Sequence, residues 1–308
     1  MNSSFFRIPL MLVAAAVLML SACKKDNDAD DSVSAEDNSN INTGLNVTTD
    51  DASNAVGDIQ SLSGKTDGTA SICGATIDTS QKANGIIVIN YDGSSCNGLV
   101  KEGSITATLL NYTSGTRWKD AGATLKLDFN SVKLTNTVSG AYFTLNGTHY
   151  IKNVTGGLAW KIMDGIETGT VAHKHSADNF SLTFADGSQR TWSVRRTRTF
   201  TNSNNVRSVT LSGDTTIDAV ANVEAWGTNR RGDTFKNALA SPIVSNSTCG
   251  FYKPVSGEFI HHVANRTADI LFGVDNNGDQ ISSGCAYGFK ITFTRGNFTR
   301  TKVVSYWF

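Results

Sequence analysis

The chain has 308 residues, 39% hydrophobic and 18% charged, with 28 glycines, 3 prolines and 27 basic residues against 27 acidic ones. That composition excludes a collagenous, coiled-coil or multi-pass membrane protein. A formally neutral chain also lacks the positive excess of a conventional nucleic-acid binder, so nucleic acid is not expected as a partner. The length allows one or two domains with a real hydrophobic core.

Arg7 precedes an unbroken apolar run over residues 8–20. The run is too short to cross about 30 Å of hydrocarbon as a helix but suits the core of a secretory signal. Leu20-Ser21-Ala22-Cys23 follows directly and resembles the bacterial lipoprotein cleavage box. The resemblance implies a signal peptide over 1–22, diacylglycerol on Cys23 and anchorage to the membrane through acyl chains. Residues 24–60 hold nine acids and two lysines, and no aromatic occurs between Phe6 and Tyr91. Such a stretch buries too little apolar area to offset its ordering, so 23–70 is expected to be a flexible acidic tether. The run from Asp26 to Asp31 also resembles the surface-export signal of Bacteroidota lipoproteins. That implies the outer membrane, at the cell surface rather than on the periplasmic face.

From residue 71 the patterning changes. Ala123, Leu125, Leu127 and Phe129 alternate with Thr124, Lys126 and Asp128; Phe180, Leu182 and Phe184 alternate with Ser181 and Thr183; Tyr287, Phe289, Ile291 and Phe293 alternate with Gly288, Lys290, Thr292 and Thr294. Period two means strands with one face on a core. Further strands are expected at 85–91, 104–111, 141–146, 188–200, 206–212, 215–225, 257–263, 267–274 and 299–307. Asp92-Gly93, Asn146-Gly147, Asp186-Gly187 and Asn277-Gly278 supply turn signals. Only 219–226 and 234–240 carry a weak helical pattern. The reading is an all-β region over 71–308 with almost no helix after the signal peptide. Its form is an extended antiparallel β-sandwich or two stacked lobes dividing near residue 175. Trp307 is expected to pack into the core and pin the C-terminus.

Four cysteines remain beyond Cys23, and four allow three pairings. The local pairing, Cys73 with Cys96 and Cys249 with Cys285, is the expected one in an exported chain. Loops of that size stabilise by about 3–4 kcal/mol each in the chain-entropy model. Free buried thiols are the alternative.

Gly103-Ser104-Ile105-Thr106, Gly122-Ala123-Thr124-Leu125, the basic turn from Gly227 to Thr234, Ser256-Gly257 and Asp269 to Gly273 before Cys285 form a pattern. Over roughly residues 72–294 it resembles a widespread family of Bacteroidota lipoproteins built from β hairpins. This chain departs from that family's pattern in a longer, more acidic closing turn over 273–284. The resemblance implies location and fold, and it implies no enzyme activity.

Motifs for chemistry are sparse. There is no Gly-x-Ser-x-Gly elbow, no phosphate loop and no His-Glu-x-x-His. His173 and His175 are expected as surface residues on a strand, and His261 and His262 point to opposite sides of one. Asp275, Asn277 and Asp279 alternate as calcium-loop oxygens do, but Gln280 stands where a calcium loop has its glycine. A solvated hairpin turn is the plain reading there. From 190 to 200 a regular strand places Arg190, Trp192, Arg196 and Arg198 on one face. With Arg230 and Arg231 of the Asn-Arg-Arg-Gly turn they form a candidate patch for an anionic or carbohydrate ligand. The alternative is arginine stems covering apolar surface with their heads paired to carboxylates. Asp31-Ser32-Val33 and Asp214-Thr215-Thr216 resemble O-glycosylation acceptors of that phylum, at Ser32 and Thr215.

The functional expectation is a membrane-anchored, surface-exposed, non-catalytic binding or adhesion scaffold for a glycan or an envelope protein, without a cofactor. A structural or assembly subunit on the periplasmic side is the alternative, and a glycan-active enzyme the third.

Overall fold

A computed structural model describes residues 27–64, 71–264, 266–295 and 298–307. The segment expected to be a tether is its most buried element. Residues Asn27–Asp58 form one 32-residue helix, α1, and Ile41, Leu45, Ala52, Ala55 and Val56 on it are at most 1% exposed. The short α2 (Gln60–Ser63) follows. The tether expectation is therefore corrected, while the region from residue 71 on holds almost no helix, as its alternation implies.

All else of regular structure, apart from two 3-10 turns and the five-residue α3 (Ala159–Met163), is antiparallel strand. The first seven strands are β1 (Ala75–Asp78), β2 (Ile86–Cys96), β3 (Leu99–Leu109), β4 (Thr124–Asn136), β5 (Tyr142–Asn153), β6 (Gly169–Phe184) and β7 (Gln189–Ser203). There follow β8 (Val206–Gly213), β9 (Thr215–Ile217), β10 (Val220–Thr228), β11 (Thr234–Asn246) and β12 (Ser256–Val263). The last three are β13 (Arg266–Val274), β14 (Gly288–Arg295) and β15 (Phe298–Ser305). All belong to one 15-stranded sheet that meanders in chain order, with β8 pairing β7 and β11 beside the main path, and β9 pairing β10. The fold is all-β in architecture, as the alternation implies, and its strands form one continuous sheet. The expected division near 175 falls inside β6, which pairs continuously with β5 and β7 on both sides of it. The segments 219–226 and 234–240 are strands.

The sheet curls around α1. Side chains from β2, β3, β7, β10 and β12 all bond to the helix. Trp307 stacks on Phe143 of β5 at 5.1 Å, and its carbonyl accepts from Asn136 Nδ2, so the end of the chain closes onto the β4–β5 hairpin. Strand faces obey the pattern: Leu125, Leu127 and Phe129 point inward and are buried, while Thr124, Lys126 and Asp128 face out. A polar outer face is the reverse of a lipid-facing barrel. Among the described residues no helix is long and apolar enough to cross a membrane. Both disulfides take the local pairing, Cys73–Cys96 and Cys249–Cys285.

The connections differ at the two ends. Beside the N-terminal half of α1 lie the tight turns 137–141, 185–188 and 229–233, where Gly44 meets Leu134 and Phe143 and Arg230 joins Asp37 to Asp186. At the C-terminal end of α1 lie the long connections 110–123, 154–168, 247–255 and 275–287. These knit together, through Leu62 O to Trp118 N, Gly157 N to Lys119 O and the Cys249–Cys285 bridge.

A glycine inside a helix costs about 1 kcal/mol against alanine, yet Gly44 sits in the middle of α1. A Cβ there would lie 2.6 Å from Leu134 Cδ1 and 2.8 Å from Phe143 Cζ, so glycine lets the helix touch the sheet. Gly44→Ala is expected to lower stability by about 1–3 kcal/mol through overpacking, despite alanine's helical preference. Denaturant unfolding checks the sign.

Candidate functional site

The inner face of β7 meets a polar stripe on α1. Ser34, Asn38, Asn42, Asn46 and Asp50 recur every four residues, so they lie along one side of the helix. Opposite them Arg190, Arg196 and Arg198 are 2%, 0% and 1% exposed. Arg190 Nη2 donates to Asn38 Oδ1 at 2.6 Å. Arg196 donates to Asn42 Oδ1, to Asn46 Oδ1 at 2.8 Å and to Glu224 Oε2 at 3.2 Å. Arg198 forks onto both Asp50 oxygens at 2.6 and 2.9 Å, and Tyr252 donates to the same carboxylate at 3.1 Å. Asn38 Nδ2 meets Asn237 Oδ1 at 3.2 Å and His261 Nδ1 at 2.9 Å. Between Arg190 and Arg198 a strand advances about 26 Å, and between Asn38 and Asp50 a helix rises about 18 Å. A strand inclined by about 45° to the helix reconciles the two lengths, as in a strongly coiled sheet.

The expected ligand patch is therefore not a surface. Trp192, at 0% exposure, is buried with the three arginines, and their charges meet helix α1 rather than solvent. Burial lowers the Arg190 pKa to about 10, while Asp37 opposes the shift.

Two further inner clusters extend this polar core. Lys101 Nζ donates to Asp51 Oδ2 at 2.6 Å, and Tyr91 donates to the same oxygen at 2.9 Å. His149 Nε2 lies 3.1 Å from His175 Nδ1, and the His173 ring stands 5.1 Å from Trp118. All three are buried, which corrects the surface expectation for His173 and His175. Burial, followed by the charges of nearby arginines, lowers His149 and His173 to about 3; burial, then His149 and the arginines, keeps His175 well below the ordinary range. Among the described residues no group of three or more His, Cys, Asp and Glu is placed to hold a metal. His261 faces inward and His262 outward, as alternation implies.

Arg230 and Arg231 stand apart, at the mouth where α1 enters. There a cleft of about 270 Å³ is lined by Val33, Ser34, Asp37, Asp186, Arg230 and Arg231 among others. Asp37 and Asp186 are a carboxylate pair with divergent acidity. Burial raises Asp37, and hydrogen bonds from Ser188 lower Asp186. However, Arg230 takes both oxygens of Asp37 at 2.6 and 2.7 Å and reaches Asp186 at 3.4 Å. Its guanidinium also lies 3.5 Å from the Phe184 ring centroid. The arrangement locks the helix in its mouth and leaves no unengaged carboxylate on Asp37 for acid catalysis.

An open cleft on the outer face is the stronger candidate. It measures about 260 Å³ and is lined by Trp226, Lys236, His262, Ile217, Asp218 and Gly227 among others. The register places Trp226 of β10, Lys236 of β11 and His262 of β12 in one cross-strand row. The β9–β10 turn walls it, with Asp218 and Ala219 both at positive φ, 48° and 63°, as a two-residue hairpin requires. Lys236 Nζ holds that wall through Asp218 Oδ2 at 3.2 Å. Arg195 lies over the Trp226 ring at 5.7 Å. An aromatic face ringed by a cation, an imidazole and a carboxylate can stack one side of a sugar and hydrogen-bond its hydroxyls.

This site was not legible in the sequence. Strict alternation puts Glu224 and Trp226 on one face, but a bulge between Val223 and Ala225 turns Glu224 inward to Arg196 while Trp226 faces out.

The remaining candidates resolve simply. Asp275 Oδ1 accepts the backbone N–H groups of Asn277 and Asp279 at 2.9 Å each, so the candidate calcium carboxylate caps its own turn. Ser32 is 7% exposed within α1 and closed to a modifying enzyme once folded, while Thr215 is half-buried on β9. Cys23 and the leader lie outside the described residues. No family model, no curated protein and no solved structure matches the chain.

Proposed function

We propose that this chain is exported, anchored to the outer membrane through acylated Cys23, displayed at the cell surface, and serves as a non-catalytic binding scaffold whose ligand is a glycan held at the Trp226 cleft. The cleft is the observation that carries the binding part. Export is supported by the leader, by the Leu20-Ser21-Ala22-Cys23 box and by two disulfides, which persist in oxidising compartments. The resemblance to Bacteroidota β-hairpin lipoproteins supports the same location.

A glycan array probed with the folded protein, followed by titration of the indole fluorescence, tests the ligand class. Trp226→Ala is expected to weaken binding at least tenfold while leaving the far-ultraviolet spectrum unchanged. Binding that survives this substitution would remove the cleft from the proposal, and an array without any bound glycan would remove the ligand class. Protease shaving of intact cells beside a Cys23→Ala control tests display. Exposure in the wild type with release in the control is expected; protection until lysis would place the protein on the periplasmic face.

A further inference from the structure

Anchorage at Cys23 and the position of α1 together orient the molecule. A tether over 23–70 would let the body wander about 35–40 Å from the bilayer as a random coil, and much farther when stretched. Instead α1 begins at Asn27, four residues after Cys23, a reach of at most about 14 Å even when fully extended. By Ser34 and Asp37 the helix is already bonded inside the sheet, to His261 and Arg230. A 32-residue helix is about 48 Å long, so the far loops stand several times beyond the reach of the anchor.

We infer that the protein rests directly on the lipid surface, with the rim of tight turns 137–141, 185–188 and 229–233 facing the bilayer and the long connections facing away. The inference rests on acylation of Cys23. Val138, 92% exposed at the tip of the β4–β5 turn, is the most exposed large apolar side chain among the described residues and points from this rim. Ile166 and Val206, 61% and 64% exposed at the other end, are out of the anchor's reach. In this orientation the long connections, two of them joined by the Cys249–Cys285 bridge, are what an approaching soluble partner meets first. The Trp226 cleft, two residues in from the end of β10, lies toward the membrane side.

The test uses the acylated full-length protein in phosphatidylethanolamine–phosphatidylglycerol vesicles carrying nitroxide headgroup lipids. A fluorophore is placed through Val138→Cys or Ala185→Cys on the near rim, and through Ile166→Cys or Val206→Cys on the far one. Several-fold stronger quenching at 138 and 185 is expected, and a long Gly-Ser insert directly after Lys25 is expected to abolish the difference. Intact mass reads the acylation separately. An unmodified Cys23 would overturn the anchor and this orientation together. Acylated protein with equal or reversed quenching would overturn the orientation alone.

Discussion

Replacing Arg196 with alanine is expected to destabilise the protein by about 3–5 kcal/mol, because it strands a buried carboxylate. The Arg196 and Glu224 side chains are both 0% exposed and lie 3.2 Å apart. Without the guanidinium, Glu224 keeps, among the described residues, the amide donors of Asn42 and Asn237, at 3.2 and 3.3 Å. The double substitution Arg196→Met with Glu224→Leu is expected to recover most of the loss, since an apolar pair of similar volume carries no desolvation penalty. Urea unfolding of the two single variants and the double one gives the coupling. A solvent-facing ligand patch would predict a change within about 0.5 kcal/mol for Arg196→Ala, which would contradict the buried network.

Acid is expected to destabilise the protein from about pH 6.5 downward. His149 and His173 sit at about 3 in the folded state, lowered by burial and then by neighbouring arginine charge. The ordinary value for an imidazole is 6.5. A depressed histidine binds its proton in the unfolded chain first, so stability is full above about pH 6.5 and falls as pH drops toward 3. At pH 5 each of these two should cost about 2 kcal/mol. His175 and His261 shift in the same direction. Asp37 and Asp51, raised by burial, work the other way and blunt the fall without reversing it. Melting temperatures between pH 7.5 and 4.5 should drop steeply below 6.5. His262→Gln, on the outer face, should remove only a minor part of the fall, since partial burial and then Lys236 lower that histidine as well. A flat profile would contradict a neutral buried histidine cluster.

Much of the shell was legible. Period two in 123–129, 180–184 and 289–293 gave strands with the correct inward faces, though Tyr287, read as inward, is 50% exposed just before β14, and the local cysteine pairing followed from the two short spacings. The packing of Trp307 followed from its place at the end of the last strand. What the pattern concealed was α1. A helix normally betrays itself by an apolar stripe, and this one carries mostly polar side chains because its partners are Arg190, Arg196, Arg198, Lys101 and His261. The complementary signal was present on both sides. Ser34, Asn38, Asn42, Asn46 and Asp50 recur at helical spacing, and β7 places arginines on the same face as Trp192, Val194 and Phe200. Inward arginines demand buried acceptors, and the acid-rich, Asn-rich segment at 34–51 supplies them. Thr48 and Thr49 complete the fit, donating to the carbonyls of Gly44 and Leu45 within the helix. The Trp226 cleft needed a bulge, which no periodicity reports.

The buried ionic contacts add little net stability against a hydrocarbon core. Their effect here is positional: each inward arginine of β7, Arg190, Arg196 and Arg198, fixes one level of α1, so the helix has a single register in the shell. Arg230 closes that register at the mouth by gripping Asp37.

Hydrogen exchange of the backbone amides, followed by mass spectrometry on the intact chain, tests the central claim that α1 is the core around which the sheet closes. Peptides covering residues 34–56 are expected to exchange as slowly as those of β4 and β7, opening only with global unfolding. Exchange of 34–56 within seconds under native conditions, with the strands still protected, would mean that the segment is a tether after all.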